Sequence, residues 1–174
     1  MQKISELAKR TRLLILDVDG VLTDGRIFIT ASGEEFKAFN TLDGHGLKML
    51  QSTGVQLAII TGRAAPSVAH RARGLGIDHY YEGVHDKRTA FAELLAKTGI
   101  AAEDCAYIGD DVIDLPVMSR VGLAVAVPDA PSFVRQHAHF VTGNRGGRGA
   151  VRELCELIMQ AQGSYDRVMA SYLA

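Results

Sequence analysis

The sequence predicts an α/β fold built on a central parallel sheet, and three observations carry that prediction. Apolar runs of strand length recur at Leu13 to Leu16, Val55 to Ile60, Ala106 to Ile108 and Leu123 to Val127. Helical patterns fill most of the gaps between them, and strands alternating with helices pack as a parallel sheet covered on both faces. Two of the runs lead directly into acidic residues, Asp17 and Asp19 after the first and Asp110, Asp111 and Asp114 after the third. Such sheets gather their ligands beyond the carboxyl ends of the strands, so these carboxylates stand at the expected active edge.

In chain order, the four consecutive aliphatics of Leu13-Leu14-Ile15-Leu16 suit a central strand buried on both faces. That strand runs into Asp17-Val18-Asp19-Gly20-Val21-Leu22-Thr23-Asp24-Gly25. Arg26 to Asn40 then reads as a β-hairpin folded at a Ser32-Gly33 turn. Its Ile27, Phe28, Ile29, Phe36 and Phe39 exceed what a solvated ribbon needs and predict packing against another subunit. Helices are expected at about 44 to 52, 65 to 75, 86 to 98, 112 to 120 and 147 to 162. The glycine-rich Gly143 to Gly149 reads as a hinge before the last helix, and residues 163 to 174 as a mobile tail.

A chain of 174 residues fits one domain, 1–174, and is long enough to hold a real core. Its net charge is −1 with 22% charged residues and no block of one sign, which gives no electrostatic case for a nucleic-acid or membrane partner. A small polar ligand is the expected partner. Cys105 and Cys155 each sit among aliphatic neighbours, which suits reduced core thiols and a cytoplasmic setting. Met1 to Arg10 lacks the apolar stretch of a signal peptide, and no apolar run reaches membrane-spanning length.

The acidic strand ends suggest phosphoryl transfer. A phosphate monoester hydrolyses extremely slowly unaided, and splitting the reaction through an aspartyl-phosphate needs one carboxylate as nucleophile and a second to move protons. Asp17 and Asp19 supply that pair, although a strand-ending Asx turn accounts for the same residues. Thr61 ends the second run before Gly62 and offers a hydroxyl to a phosphate oxygen, or merely caps the next helix. Lys87 opens a helical pattern and can neutralise phosphate and nucleophile, or face solvent as most lysines do. Asp110, Asp111 and Asp114 would repel one another without a cation. Mg²⁺ takes one or two carboxylates with waters and a phosphate oxygen, so Asp17 and Asp110 with a backbone carbonyl suffice, leaving Asp111 and Asp114 as helix caps.

Taken together, DVDGVLTDG, Thr61-Gly62, Lys87 and GDDVID resemble the haloacid dehalogenase superfamily of phosphohydrolases over nearly the whole chain. The resemblance implies a Rossmann-like three-layer fold with Asp17 as nucleophile and Asp19 as general acid, then base. It further implies Mg²⁺ held by Asp17, Asp110 and the carbonyl of Asp19, with Asp111 and Asp114 behind the metal and Thr61 and Lys87 on the phosphate. Most members carry an inserted cap domain, for which this chain has no room, so its site borrows a lid from a neighbouring subunit or takes a large substrate.

Within the capless branch, Glu35 to Gly46 and Gly146 to Glu153 resemble the 3-deoxy-D-manno-octulosonate 8-phosphate phosphatases of lipopolysaccharide biosynthesis. That resemblance implies a homotetramer whose hairpins cover neighbouring sites. It also implies that Asn40, Thr41, Leu42, Asp43, Gly44, Lys48, Arg63 and Arg71 contact the sugar acid along with Asp19 and Lys87. Position 48 is commonly Arg in that family, so Lys48 is a departure. Arg63 and Arg71, eight apart, are expected on one helical face, where a guanidinium fork suits a carboxylate. The alternatives are a phosphatase for a nine-carbon keto-acid 9-phosphate, whose family tends to carry Glu at position 63, and a noncatalytic oligomerisation module. His45 is the only histidine near the expected substrate segment.

Overall fold

The computed structural model describes residues 2–173, so Met1 and Ala174, the first residue of the expected N-terminal segment and the last of the expected tail, lie outside the described residues. The chain opens with helix α1 (Gln2–Arg10), followed by strand β1 (Leu13–Leu16), all four of whose residues are buried. The hairpin consists of β2 (Phe28–Ile29) and β3 (Glu35–Phe36), paired antiparallel as a sheet of its own. The βα succession then runs α2 (Thr41–Gln51), β4 (Gln56–Ile60), α3 (Pro66–Leu75), β5 (His79–Tyr81), α4 (Lys87–Thr98) and β6 (Cys105–Gly109). Beyond it come α5 (Leu115–Met118), β7 (Leu123–Ala126), α6 (Ser132–Gln136), β8 (Phe140–Val141), α7 (Ala150–Ala161) and α8 (Tyr165–Ala170).

The six main strands form one parallel sheet in the order β5-β4-β1-β6-β7-β8. From β1 the chain moves outward through β4 and β5, then returns to the other side of β1 for β6, β7 and β8. The crevice between β1 and β6 is therefore the topological switch point, where open α/β sheets bind ligands. In register, Leu16 faces Ile59 on one side and Ile108 on the other, so Asp17, Thr61 and Asp110 emerge at the same edge. Helices flank the sheet, with α7 packed on α1 and α2 and α4 packed on α5. Only the hairpin separates β1 from α2, and only α3, β5 and α4 separate β4 from β6.

The structure departs from the sequence reading at several points. In place of a mobile tail at 163 to 174, residues 165 to 170 form α8, which packs on α7 and buries Val168. The helix expected at 112 to 120 breaks into a 3₁₀ turn at Val112–Asp114 and the short α5, because Asp111 and Asp114 cap the turn reciprocally and Pro116 sits in the first turn of α5. Helix α3 begins at Pro66 after an extended Ala65, which leaves Arg63 outside the helix and off the face that carries Arg71. Phe39 packs against the core and stacks under the Arg71 guanidinium, while Ile27, Phe28, Ile29 and Phe36 stay exposed.

The expected hinge at Gly143 to Gly149 is a clamp. A side chain at Gly146 would strike the carbonyl of Gly20, one at Gly147 would strike the backbone at Thr23 and Asp24, and the Gly147 N–H donates to the Val21 carbonyl at 2.8 Å. Only glycine permits two backbones to lie this close. The late loop thereby braces the loop after β1.

Candidate active site

Asp17 comes directly after β1, its N–H donating to the Ile108 carbonyl at 3.1 Å, so the parallel ladder carries it one residue past the strand. Its side chain is buried, and Lys87, the first residue of α4, donates to its Oδ1 at 2.7 Å. The Lys87 ammonium also donates to Asp114 Oδ1 at 2.7 Å and to the Tyr107 hydroxyl at 3.1 Å, which commits all three of its protons. Burial works against its charge, yet Asp17 and Asp114 outweigh that and hold its pKa above the ordinary lysine value. Burial and the Asp114 charge raise Asp17 to about 6, with Lys87 pulling the other way.

Asp114 is fully buried and saturated. Its Oδ1 accepts from Tyr107 Oη at 2.6 Å as well as from Lys87, and its Oδ2 accepts the N–H groups of Asp110 at 2.9 Å and Asp111 at 3.1 Å. Asp111 is exposed and caps the Val112 N–H at 2.7 Å. Asp110 projects from the end of β6, and burial together with Asp17, Asp114 and Asp111 pushes it to about 8. Gly20, at φ +83°, lets the loop after β1 press against the Asp110 carboxylate, which any side chain there would strike.

Carboxylate oxygens of Asp17, Asp110 and Asp114 lie within 4.8 Å of one another. Because the acceptor positions of Asp114 are filled, Asp17 and Asp110 are the two that retain free lone pairs for a cation. Burial first and the neighbouring carboxylates second raise the pKa of both, and a cation between them would offset both effects. This donor set, hard oxygens with two available carboxylates, fits a magnesium ion.

Asp19 stands on the outer side of the loop among cations. Lys37 Nζ donates to its Oδ1 at 2.5 Å, and Arg63 Nε lies 3.9 Å from its Oδ2. Glu35 joins the same group, with Lys37 Nζ 2.7 Å from its Oε1 and Arg63 Nη2 donating to its Oε2 at 2.5 Å. Lys37 and Arg63 hold the Glu35 carboxyl below its usual pKa. Sequence reasoning does not single out Glu35, Lys37 or Tyr107. Glu35 and Lys37 occupy alternate positions of an extended segment and so share a face, which is the only signal the sequence offers for them, whereas Tyr107 reads simply as part of an apolar strand.

Thr61 is buried just past β4, its Oγ1 accepting the Arg63 N–H at 3.4 Å. The expected substrate residues divide into separate groups. Asn40 caps α2 through the Leu42 N–H at 2.8 Å and donates from Nδ2 to the Gly147 carbonyl at 3.1 Å. Asp43 is buried with its oxygens on the N–H groups of Gly149 at 3.3 Å and Arg152 at 2.9 Å, so its carboxylate caps α7 and does not face an open pocket. Leu42 is exposed. Thr41, Gly44, His45, Lys48 and Arg71 line one depression of about 300 Å³, with the Arg71 guanidinium laid over Gly44. Arg63 belongs with Asp19, so the two arginines address different places.

Residues 81–154 match the model of the haloacid dehalogenase-like hydrolases. The 3-deoxy-D-manno-octulosonate 8-phosphate phosphatase of Escherichia coli strain K12 is 53% identical over 159 residues, covering 91% of this chain and 85% of that protein. A crystal structure of the phosphatase of that name from Yersinia pestis superposes with a TM-score of 0.93 at 51% identity, covering 94% of this chain and 89% of that one. The Moraxella catarrhalis phosphatase, solved with magnesium, phosphate and the sugar acid, superposes with a TM-score of 0.97 at 44% identity over 99% of each chain. On the strength of the sheet, its acidic edge and these likenesses, the chain belongs to the haloacid dehalogenase-like hydrolases, in the family of 3-deoxy-D-manno-octulosonate 8-phosphate phosphatases.

Proposed function

We propose that the protein is a Mg²⁺-dependent phosphatase that converts 3-deoxy-D-manno-octulosonate 8-phosphate into the free sugar acid and phosphate. The observation that carries the reading is the buried Asp17, held by Lys87 at 2.7 Å beside the free carboxylate of Asp110 at the switch point of the sheet. A carboxylate fixed there attacks phosphorus in line while the bond to the sugar oxygen breaks, and the leaving alkoxide takes a proton from Asp19. Water then attacks the aspartyl-phosphate, Asp19 takes a proton from it, and phosphate leaves with Asp17 restored. Lys87 orients the nucleophile and offsets the charge of the incoming phosphate, while Thr61 offers its hydroxyl to a phosphoryl oxygen.

A magnesium ion held by Asp17, Asp110 and the Asp19 carbonyl supplies electrostatic stabilisation of the phosphoryl oxygens. Asp114 acts behind it by fixing Lys87 and the backbone of residues 110 and 111. Arg63 receives the substrate's carboxylate beside Asp19, and Lys48 and Arg71 contribute cations from the neighbouring depression. The exposed Ile27, Phe28, Ile29 and Phe36 support a homotetramer in which each hairpin covers a neighbouring site. Cys105 and Cys155 are both free and buried, which supports a cytoplasmic location. Among the described residues no helix is long and apolar enough to cross a membrane.

The test is phosphate release by the purified protein from eight-carbon and nine-carbon keto-acid phosphates and from an aryl phosphate, with Mg²⁺ and with chelator. The reading requires Mg²⁺-dependent preference for the eight-carbon ester. Preference for the nine-carbon ester would reassign the substrate, and no metal-dependent hydrolysis of any ester would leave an oligomerisation module.

A further inference from the structure

We propose that Glu35 is a resident carboxylate that occupies Arg63 in place of the substrate's own carboxylate and must be displaced for the sugar acid to bind. The inference rests on the proposed function, in which Arg63 receives that carboxylate.

The geometry supporting it is a closed ring of alternating charge at the foot of the hairpin. Asp19 contacts Lys37, Lys37 contacts Glu35, Glu35 contacts Arg63, and Arg63 returns to Asp19 at 3.9 Å. Glu35 divides its two oxygens between the two cations, Oε1 toward Lys37 at 2.7 Å and Oε2 toward Arg63 at 2.5 Å. A guanidinium fork addressed by a carboxylate is the contact an acidic sugar would make. With Glu35 in place the ring is neutral, and exchanging Glu35 for a substrate carboxylate preserves that neutrality at Arg63.

The arrangement is also displaceable. Half of the Arg63 side chain, 49%, is open to solvent against 22% of Glu35, while Lys37 is closed from solvent, so an incoming anion reaches the ring at Arg63 and the exchange is confined to that contact. The hairpin that carries Glu35 has strands of only two residues, and a two-stranded ribbon this short is weakly held by itself. Solvent-reached ion pairs contribute little, so a competing carboxylate anchored elsewhere by its phosphate can replace one. A phosphate ester without a carboxylate has no reason to displace Glu35 and leaves the ring closed. Glu35 thus weakens binding of the acidic substrate while leaving other esters untouched.

Steady-state kinetics of the wild type and Glu35→Gln, both with Mg²⁺, on the eight-carbon keto-acid phosphate and on p-nitrophenyl phosphate test the idea. Removing the resident charge should lower KM for the sugar-acid ester about threefold to tenfold, with KM for the aryl ester unchanged. Glu35→Asp, which keeps the charge but withdraws it from Arg63, should give a smaller fall in the same direction and serves if the glutamine variant does not fold. An unchanged or higher sugar-acid KM overturns the proposal, as does an equal shift for both esters, which marks Glu35 as a simple hairpin strut. A wild type that does not prefer the sugar-acid ester overturns the substrate reading itself, and a wild type that does prefer it while Glu35→Gln changes nothing overturns only the role of Glu35.

Discussion

Two groups of charges lie on either side of the loop after β1, and they share a composition of lysine and carboxylates but little else. In the inner group, Asp17, Lys87, Asp114 and Tyr107 are buried and come from the end of β1, the first turn of α4, the 3₁₀ turn after β6 and the middle of β6. In the outer group, Asp19, Lys37, Glu35 and Arg63 come from a loop and a two-stranded ribbon, and the Arg63 side chain is half open to solvent. Burial makes each inner interaction strong and each vacancy costly, whereas in the outer group Lys37 is closed from solvent and only the pair made by the half-open Arg63 is exchangeable. On the proposed function, the contrast separates a fixed chemical centre from a recognition surface that adjusts at Arg63.

The largest expected effect is on the inner group. Asp17→Asn should lower kcat at least ~10³-fold while the far-ultraviolet circular dichroism is retained, and turnover near wild type would remove Asp17 from the nucleophile's place. Lys87→Met strands Asp17 and Asp114 in the interior, and urea unfolding should register a loss of roughly 3–5 kcal/mol. A loss below ~1 kcal/mol would mean that the inner group is as tolerant as the outer one.

A pH series sharpens the same comparison. Asp17 at about 6 and Asp110 at about 8 lie above the ordinary value of 3.8, so the metal-free folded state holds their protons more tightly than the unfolded chain does. The stability associated with those protons is complete below pH ~4 and is lost as the pH rises through about 6 and about 8. Thermal melts in chelator should therefore show these two groups lowering the midpoint across that window, and Mg²⁺ should reduce the decline because it stabilises the ionised pair. Melts with and without Mg²⁺ that run parallel from pH ~4 to ~8 would contradict the metal assignment.

The smallest effect belongs to the outer group. Raising salt from ~0.05 M to ~0.5 M should increase KM for the sugar-acid phosphate severalfold while Lys87's contribution to stability, compared in wild type and Lys87→Met, stays nearly constant. Equal salt sensitivity of both quantities would erase the distinction between the two groups.

The inner group is largely legible in the sequence and the outer group is not, for a physical reason. Asp17, Thr61 and Asp110 each stand at or just past the end of an apolar run, and a parallel sheet delivers all such ends to one edge whatever the loops do. Lys87 is legible as the start of α4. Lys37 meets Asp19, and Glu35 meets Arg63, only because the ribbon folds back, and no periodicity records where a short ribbon lies. Asp43 reads as a substrate residue because of its neighbours in the chain, whereas its carboxylate is spent on α7. Helices α1 and α8 also escape the sequence reading, although Ile4, Leu7 and Ala8, and Tyr165, Val168 and Met169, carry helical spacing. Both are short and α1 is polar overall, so the signal lies in single apolar faces.

The clamp formed by Gly146 and Gly147 against Gly20 to Asp24 gives the chain a temporal order. During synthesis Asp17 is made before Gly147, so its loop gains its brace only after residue 147, and Asp43 gains its place as the cap on α7 only after residue 152. A nascent chain therefore carries Asp17 through the whole interval from residue 17 to residue 147 without the backbone contacts that complete its loop.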